Sequence, residues 1–191
     1  MALINVASRE IHCKIVYYGT GFCGKTTNLQ YIYSHAPQPA RGDLLTIATE
    51  SERTLFFDFL PLDLGLVHDF RVRFHLYTVP GQVLYERTRV AVLNGADGVV
   101  FVVDSTPEKL EENFQSLIEL ETNMRQLGKD LGAFPFVIQW NKRDVPNAIP
   151  VATLDRYLNR RRVQTYEASA VTGQGVFPTL RTVCKDVMER L

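Results

Sequence analysis

The 191-residue chain has little of what staples or anchors a protein. It carries three cysteines, Cys13, Cys23 and Cys184, an odd number at wide spacings. They supply neither a disulfide framework nor a metal-ligand cluster, and they favour a reducing, cytosolic setting. No stretch approaches the roughly 20 apolar residues of a membrane span, and the opening MALINVASREIH lacks the long apolar core of a signal peptide. Position 2 is Ala rather than Gly and the last residues are MERL, so no permanent membrane anchor is expected. An excess of one charge is missing too. Twenty-one basic side chains balance 21 acidic ones, leaving no overall field to gather nucleic acid or an anionic membrane, and partners must be recognised by local chemistry. With 46% hydrophobic residues, the chain can bury a substantial core unaided, and a single domain over residues 1–191 is expected.

What is present is an alternation of short apolar runs with helical patterns. IHCKIVYYG, TLFFDFL, FRVRFHLYTV, DGVVFVVDS, FPFVIQWNK and VQTYEAS read as six strands, several too uniformly apolar to be half-exposed. Helices are predicted from Lys25 to His35, Gln82 to Leu93, Glu108 to Leu127, Val151 to Asn159 and Gly175 to Leu191. Thr106-Pro107-Glu108 opens the third with a cap residue and a proline at the first helical position. The fold class that follows is α/β: a mostly parallel six-stranded sheet with helices on both faces. TLFFDFLPLDLGLVHDFRVRFHLY is the exception, because it leaves no room for a helix between two strands and must form one antiparallel hairpin at the sheet edge. The irregular stretch from Ala36 to Arg53, with two prolines and a glycine, reads as a functional loop.

GTGFCGKT, residues 19 to 26, fits the phosphate loop G-x-x-x-x-G-K-[ST] and lies between a strand and a helix, as that loop must. Gly19 and Gly24 permit the tight wrap, and Gly21 keeps the loop bare. Backbone N–H groups then point at phosphate oxygens from the positive end of the following helix. Lys25 would reach the outer phosphates and Thr26 would offer its hydroxyl to Mg2+, with Thr27 beside it. A nucleoside triphosphate is implied, without its base.

NKRD at 141 to 144 supplies the base, since it follows FPFVIQW at a strand's carboxyl end, where open α/β sheets bind ligands. A carboxylate at Asp144 accepts both hydrogens of guanine N1 and N2, whereas adenine presents an acceptor there. Asn141 and Lys142 complete the motif. EASA, at 167 to 170, can hand a backbone N–H from Ser169 or Ala170 to the guanine carbonyl.

GTGFCGKT, ERTLFFDFLPLDLG, FHLYTVPGQ, NKRD and EASA together resemble the Ras-like small GTPases, and within them the bacterial MglA (mutual gliding motility) proteins. The resemblance covers essentially the whole chain. It implies GTP and GDP as ligands, Mg2+ as cofactor, and a switch that hydrolyses GTP slowly alone and faster with an activating protein. Thr54 resembles the switch threonine that closes over Mg2+, Gly81 the glycine that senses the γ-phosphate, and Gln82 the glutamine that orients the attacking water. Arg53 resembles an arginine finger supplied in cis. The partners implied are a roadblock-type GTPase-activating protein similar to MglB, an exchange factor, and effectors of cell polarity or motility. A cytoplasmic protein recruited to a cell pole is the corresponding location.

Most Ras-like proteins carry D-x-x-G where this chain has TVPG, and the threonine is itself a mark of the MglA branch. Thr78 brings a hydroxyl but no charge, so either another acid is expected near the metal or Mg2+ is expected to bind less tightly. Asp58 is the candidate: it lies four residues after Thr54, on the same face of an extended strand, and that strand should pair with the one ending at Thr78. The plainer alternative leaves Asp58 facing solvent on an edge strand. Two other functions stay open, a GTP-dependent scaffold that no longer hydrolyses and a phosphate-loop nucleoside kinase, although NKRD and EASA serve no purpose in a kinase. Cys23 reads as a small packing residue before a redox sensor, and Arg160, Arg161 and Arg162 as a solvated helix-end cluster before a dock for an acidic partner.

Overall fold

The computed structural model describes residues 2–48, 54–81 and 85–191. Its elements run β1 (Leu3–Asn5), β2 (Glu10–Tyr18), α1 (Lys25–His35), β3 (Leu45–Ala48), β4 (Thr54–Val67), β5 (Phe70–Thr78) and α2 (Glu86–Leu93). They continue with β6 (Gly98–Asp104), α3 (Leu110–Gln126), β7 (Phe136–Asn141), α4 (Val151–Leu158), β8 (Thr165–Glu167) and α5 (Val176–Met188). The strands form one mixed sheet in the order β3-β4-β5-β2-β6-β7-β8, with β1 paired to the start of β2. Pairings β5-β2-β6-β7-β8 are parallel, and those of β1, β3 and β4 are antiparallel.

The uniformly apolar β6 is buried at every position because it is covered twice. Val100 and Val102 face α1 and α5, packing with Leu29, Ile32, Val183 and Val187. Val99, Phe101 and Val103 face the other way into a cluster with Leu93 of α2, Leu120 and Met124 of α3, and Leu154 of α4. Helices on both faces are what parallel crossovers produce.

The predicted hairpin is β4–β5, closed by His68 and Asp69 with φ of 47° and 67°. Two left-handed residues form the tight turn whose twist matches the strands. The sheet gains two short strands beyond the six expected. β3 lies in the stretch read as an irregular loop and pairs outside β4, so β4 is internal over part of its length rather than the edge. Pro61 is tolerated in β4 because β3 has already ended there, and its carbonyl accepts from Gly42 N at 3.0 Å.

Candidate functional site

The carboxyl ends of β2, β5, β6 and β7 converge on the loop from Gly19 to Thr26. Gly24 has a φ of 100°, and a Cβ there would stand 2.2 Å from Asn141 Nδ2. Both facts exclude any other residue. Lys25 is buried in the loop, with Nζ donating to the carbonyls of Gly19 (2.9 Å) and Thr20 (2.6 Å). Thr27 is half-buried in the first turn of α1. Cys23 is buried with the apolar cluster under α1.

Gly81 shows why a glycine stands three residues after β5. A Cβ on it would lie 2.3 Å from Gly21 N and 2.5 Å from Thr20 C, so the segment after β5 rests directly on the phosphate loop. A Cβ on Gly21 would stand 3.9 Å from the Gly81 carbonyl, an ordinary contact. Arg53 and Gln82, the residues expected to act in hydrolysis, lie outside the described residues. Thr54 is the first residue of β4, opposite Ala48 of β3.

Asp58 does not face solvent. It is fully buried, and Oδ2 accepts from Thr26 Oγ1 at 2.6 Å and from Thr78 Oγ1 at 2.7 Å. The Thr78 hydroxyl also accepts from Asp58 N at 2.8 Å. The threonine standing where relatives of this fold carry an acid therefore orients a carboxylate from the neighbouring strand. Oδ1 of Asp58 has no hydrogen-bond partner among the described residues. A buried carboxylate with an unused oxygen, next to a phosphate-loop hydroxyl, is a donor set that fits a hard divalent cation.

The NKRD motif is held by contacts that the sequence did not announce. Asn141 is buried, with Nδ2 donating to Cys23 O at 2.7 Å and Oδ1 accepting from Ala170 N at 2.9 Å. It ties the phosphate loop to the EASA loop and spends the amide N–H of Ala170 in doing so. Ser169 is buried too, and its N–H donates to Gln174 O at 3.0 Å. Lys142 adopts a left-handed φ of 63° and pairs with buried Asp104 at 2.6 Å. Asp104 in turn accepts from Thr106 N and Oγ1. Asp144 is exposed and makes no hydrogen bond or ion pair among the described residues, so its carboxylate is available to a ligand. Beneath the loop, Asn28 Nδ2 donates to Gly24 O (2.9 Å) and to Gln139 Oε1 (2.8 Å), and Gln139 Nε2 reaches Thr179 Oγ1 (3.1 Å). Gln139 was legible as a polar residue inside an apolar strand; Asn28 gave no signal.

Fold and loop together define the class: a phosphate-loop α/β protein with its ligand site at the carboxyl ends of a parallel sheet. The sequence profile of the ADP-ribosylation factor family matches residues 1–187. Mutual gliding-motility protein MglA of Myxococcus xanthus (strain DK1622) is 55% identical over 191 residues, covering 100% of this chain and 98% of that protein. Ras-related protein Rab7 of Drosophila melanogaster is 26% identical over 187 residues, covering 92% and 80%. ADP-ribosylation factor-like protein 6 of Caenorhabditis briggsae is 26% identical over 123 residues, covering 62% and 64%. The chain belongs to the Ras-like small GTPases, in their MglA subfamily. None of its described helices is long and apolar enough to cross a membrane.

Proposed function

We propose that the chain is a Mg2+-dependent switch that binds and hydrolyses GTP and, in its GTP form, engages effectors of bacterial cell polarity or motility. The observation that carries this reading is the cluster of Thr26, Asp58 and Thr78 at the end of the phosphate loop. It supplies the carboxylate that TVPG lacks, which argues against a scaffold disabled at its metal site. Thr26, Thr54 and Asp58 would hold the cation. When bound, Mg2+ neutralises charge on the outer phosphate oxygens. Lys25 acts on the same oxygens, and Asp144 selects guanine.

Hydrolysis breaks the bond between the γ-phosphorus and its bridging oxygen as water attacks in line, and little covalent chemistry is left to the protein. Gln82 orients that water. Arg53 stabilises the charge that develops, which is worth most where water is excluded. Gly81 rests on Gly21, and its backbone N–H would sense a γ-phosphate held beside the loop. That contact is the element through which nucleotide state alters the surface offered to partners. A motility role is supported by the name of the M. xanthus relative. The regulators are a roadblock-type activating protein similar to MglB and an exchange factor, and the protein is cytoplasmic with recruitment to a pole.

Single-turnover GTP assays test the reading, run with and without an acceptor nucleoside and with and without a roadblock partner. Phosphate release, accelerated by the partner, is expected. Stable GTP under both conditions would identify a scaffold, and a phosphorylated nucleoside a kinase.

A further inference from the structure

At the end of β7 opposite the nucleotide motif, a cavity of about 300 Å³ opens between α3 and α4. Phe114, Leu117 and Ile118 of α3 meet Phe136 of β7 on one side, and Tyr157 of α4 closes the other. Ile118 and Tyr157 leave 43% and 50% of their surface in solvent, so an apolar hollow lies open beside half-exposed aromatic and aliphatic walls. That volume is at the low end of the range of ligand pockets.

The charged side chains of the lining are Arg160, Arg161 and one acid, Glu121. Beside the two arginines in the chain stand Arg156 and Arg162, so that four arginines fall within seven residues that include no acid, in a chain whose formal net charge is zero. All four are exposed. Arg160 lies over the Phe114 ring at 5.8 Å, and Arg161 pairs with Glu121 at 3.1 Å. The side chains of Arg156 and Arg162 have no hydrogen-bond or ion-pair partner among the described residues. Arg156 lies on α4, and the turn that presents Arg160, Arg161 and Arg162 is fixed rather than loose. Asn159 is buried, donates to Asp155 Oδ1 and Val163 O, and accepts from Val163 N, while Arg162 holds a left-handed φ of 53°. Guanidinium groups on a pre-set turn suit carboxylates, which they bind in a bidentate fork at a small entropic cost.

We propose that this cleft docks an acidic peptide segment of another protein, one that inserts one or two bulky apolar side chains between α3 and α4 while its carboxylates pair with Arg156, Arg160 and Arg162. A lipid surface fits less well, because the apolar atoms line a concavity instead of projecting from the rim. The occupant leaves the nucleotide site uncovered: β7 runs from Phe136 in the cleft to Asn141 at the phosphate loop.

The test uses the full chain loaded with GDP and three labelled nine-residue probes read by fluorescence anisotropy at 150 mM salt. EDELEEFED carries acid and apolar anchors, EDESEESED only acid, and KKKLKKFKK the opposite charge. EDELEEFED is expected to bind at least tenfold more tightly than either control. Arg160→Glu combined with Arg162→Glu should weaken it at least fivefold, and so should Ile118→Glu, with GTP turnover and the thermal midpoint unchanged. Equal affinity for EDELEEFED and EDESEESED overturns the proposal, as does absence of binding or indifference to all three substitutions. Arginine-dependent binding of phosphatidylserine vesicles without a peptide preference would assign the face to a membrane instead.

Discussion

Replacing Asp58 by Asn separates charge from shape at the proposed metal site. The amide oxygen of Asn can still accept from Thr26 and Thr78, so the two short hydrogen bonds to Oδ2 persist in weaker, neutral form. The second oxygen has no hydrogen-bond partner among the described residues, so an amide nitrogen there forfeits nothing within the metal-free protein. Relief of a buried charge offsets the weaker bonds, and metal-free stability should move by no more than about 1 kcal/mol. The cation is another matter. A unit negative charge acting on a dication at 4 Å is worth roughly 2 kcal/mol even at the dielectric of bulk water, and more in a buried site. Apparent Mg2+ affinity should therefore fall about thirtyfold or more. Thr78→Ala makes the complementary change: it strips Asp58 N of its acceptor and Oδ2 of one donor. It should cost about 1–3 kcal/mol of stability while leaving the carboxylate in place. The assay is the rate of release of a fluorescent guanine nucleotide as Mg2+ is titrated, paired with urea unfolding of the metal-free proteins. An unchanged Mg2+ midpoint in Asp58→Asn, or a larger shift in Thr78→Ala than in Asp58→Asn, would refute a metal-holding role for Asp58.

Asp144→Asn should weaken GDP binding by roughly ten- to a hundredfold through loss of a charged bidentate contact worth about 1.5–3 kcal/mol, with calorimetry as the check; equal affinity contradicts the base assignment. Arg53→Ala and Gln82→Ala should leave nucleotide affinity nearly intact and slow single-turnover hydrolysis, the arginine by on the order of 10³ or more; unchanged rates in both would remove the catalytic roles. Asn141→Ala leaves Cys23 O and Ala170 N without their buried partner. It should cost about 2 kcal/mol or more in urea unfolding, and wild-type stability would show that the two loops are held by other means. His75 has its pKa lowered, first by burial and then by the neighbouring charges of His12 and Arg73. The folded state thus binds a proton less readily than the unfolded chain, so this group stabilises the fold above the unfolded value near 6.5 and withdraws that stability as pH falls below it. The loss between pH 7.5 and 5 should be smaller in His75→Gln than in the wild type by unfolding midpoint, and equal losses would refute the linkage.

What the sequence determined by itself is what short range decides. The glycines, lysine and threonine of GTGFCGKT act within eight consecutive residues, and the strand before and helix after them follow from hydrophobic period alone. The β4–β5 hairpin was forced by the absence of room for a helix, and the double burial of β6 by its unbroken apolar run. The place of Asp144 just beyond a buried strand followed from the apolar run FPFVIQW alone. Tertiary structure decided where distant residues meet. Asp58 was a candidate from its spacing to Thr54, but its burial required β3 to cover β4 on the outer side, and β3 was invisible because four residues of pairing carry too little pattern. Its bond to Thr26 required α1 to start against the same strand, which β4 cannot specify. Asn141 read as part of a base-binding motif, whereas its amide is spent fastening Cys23 to Ala170, two loops 118 and 29 residues away from it in the chain. Arg160 and Arg162 read as an ordinary solvated cluster because their charge is local information. The hollow beside them exists only once α3, α4 and β7 have packed, since a cavity is a property of surfaces that no one segment of the chain contains.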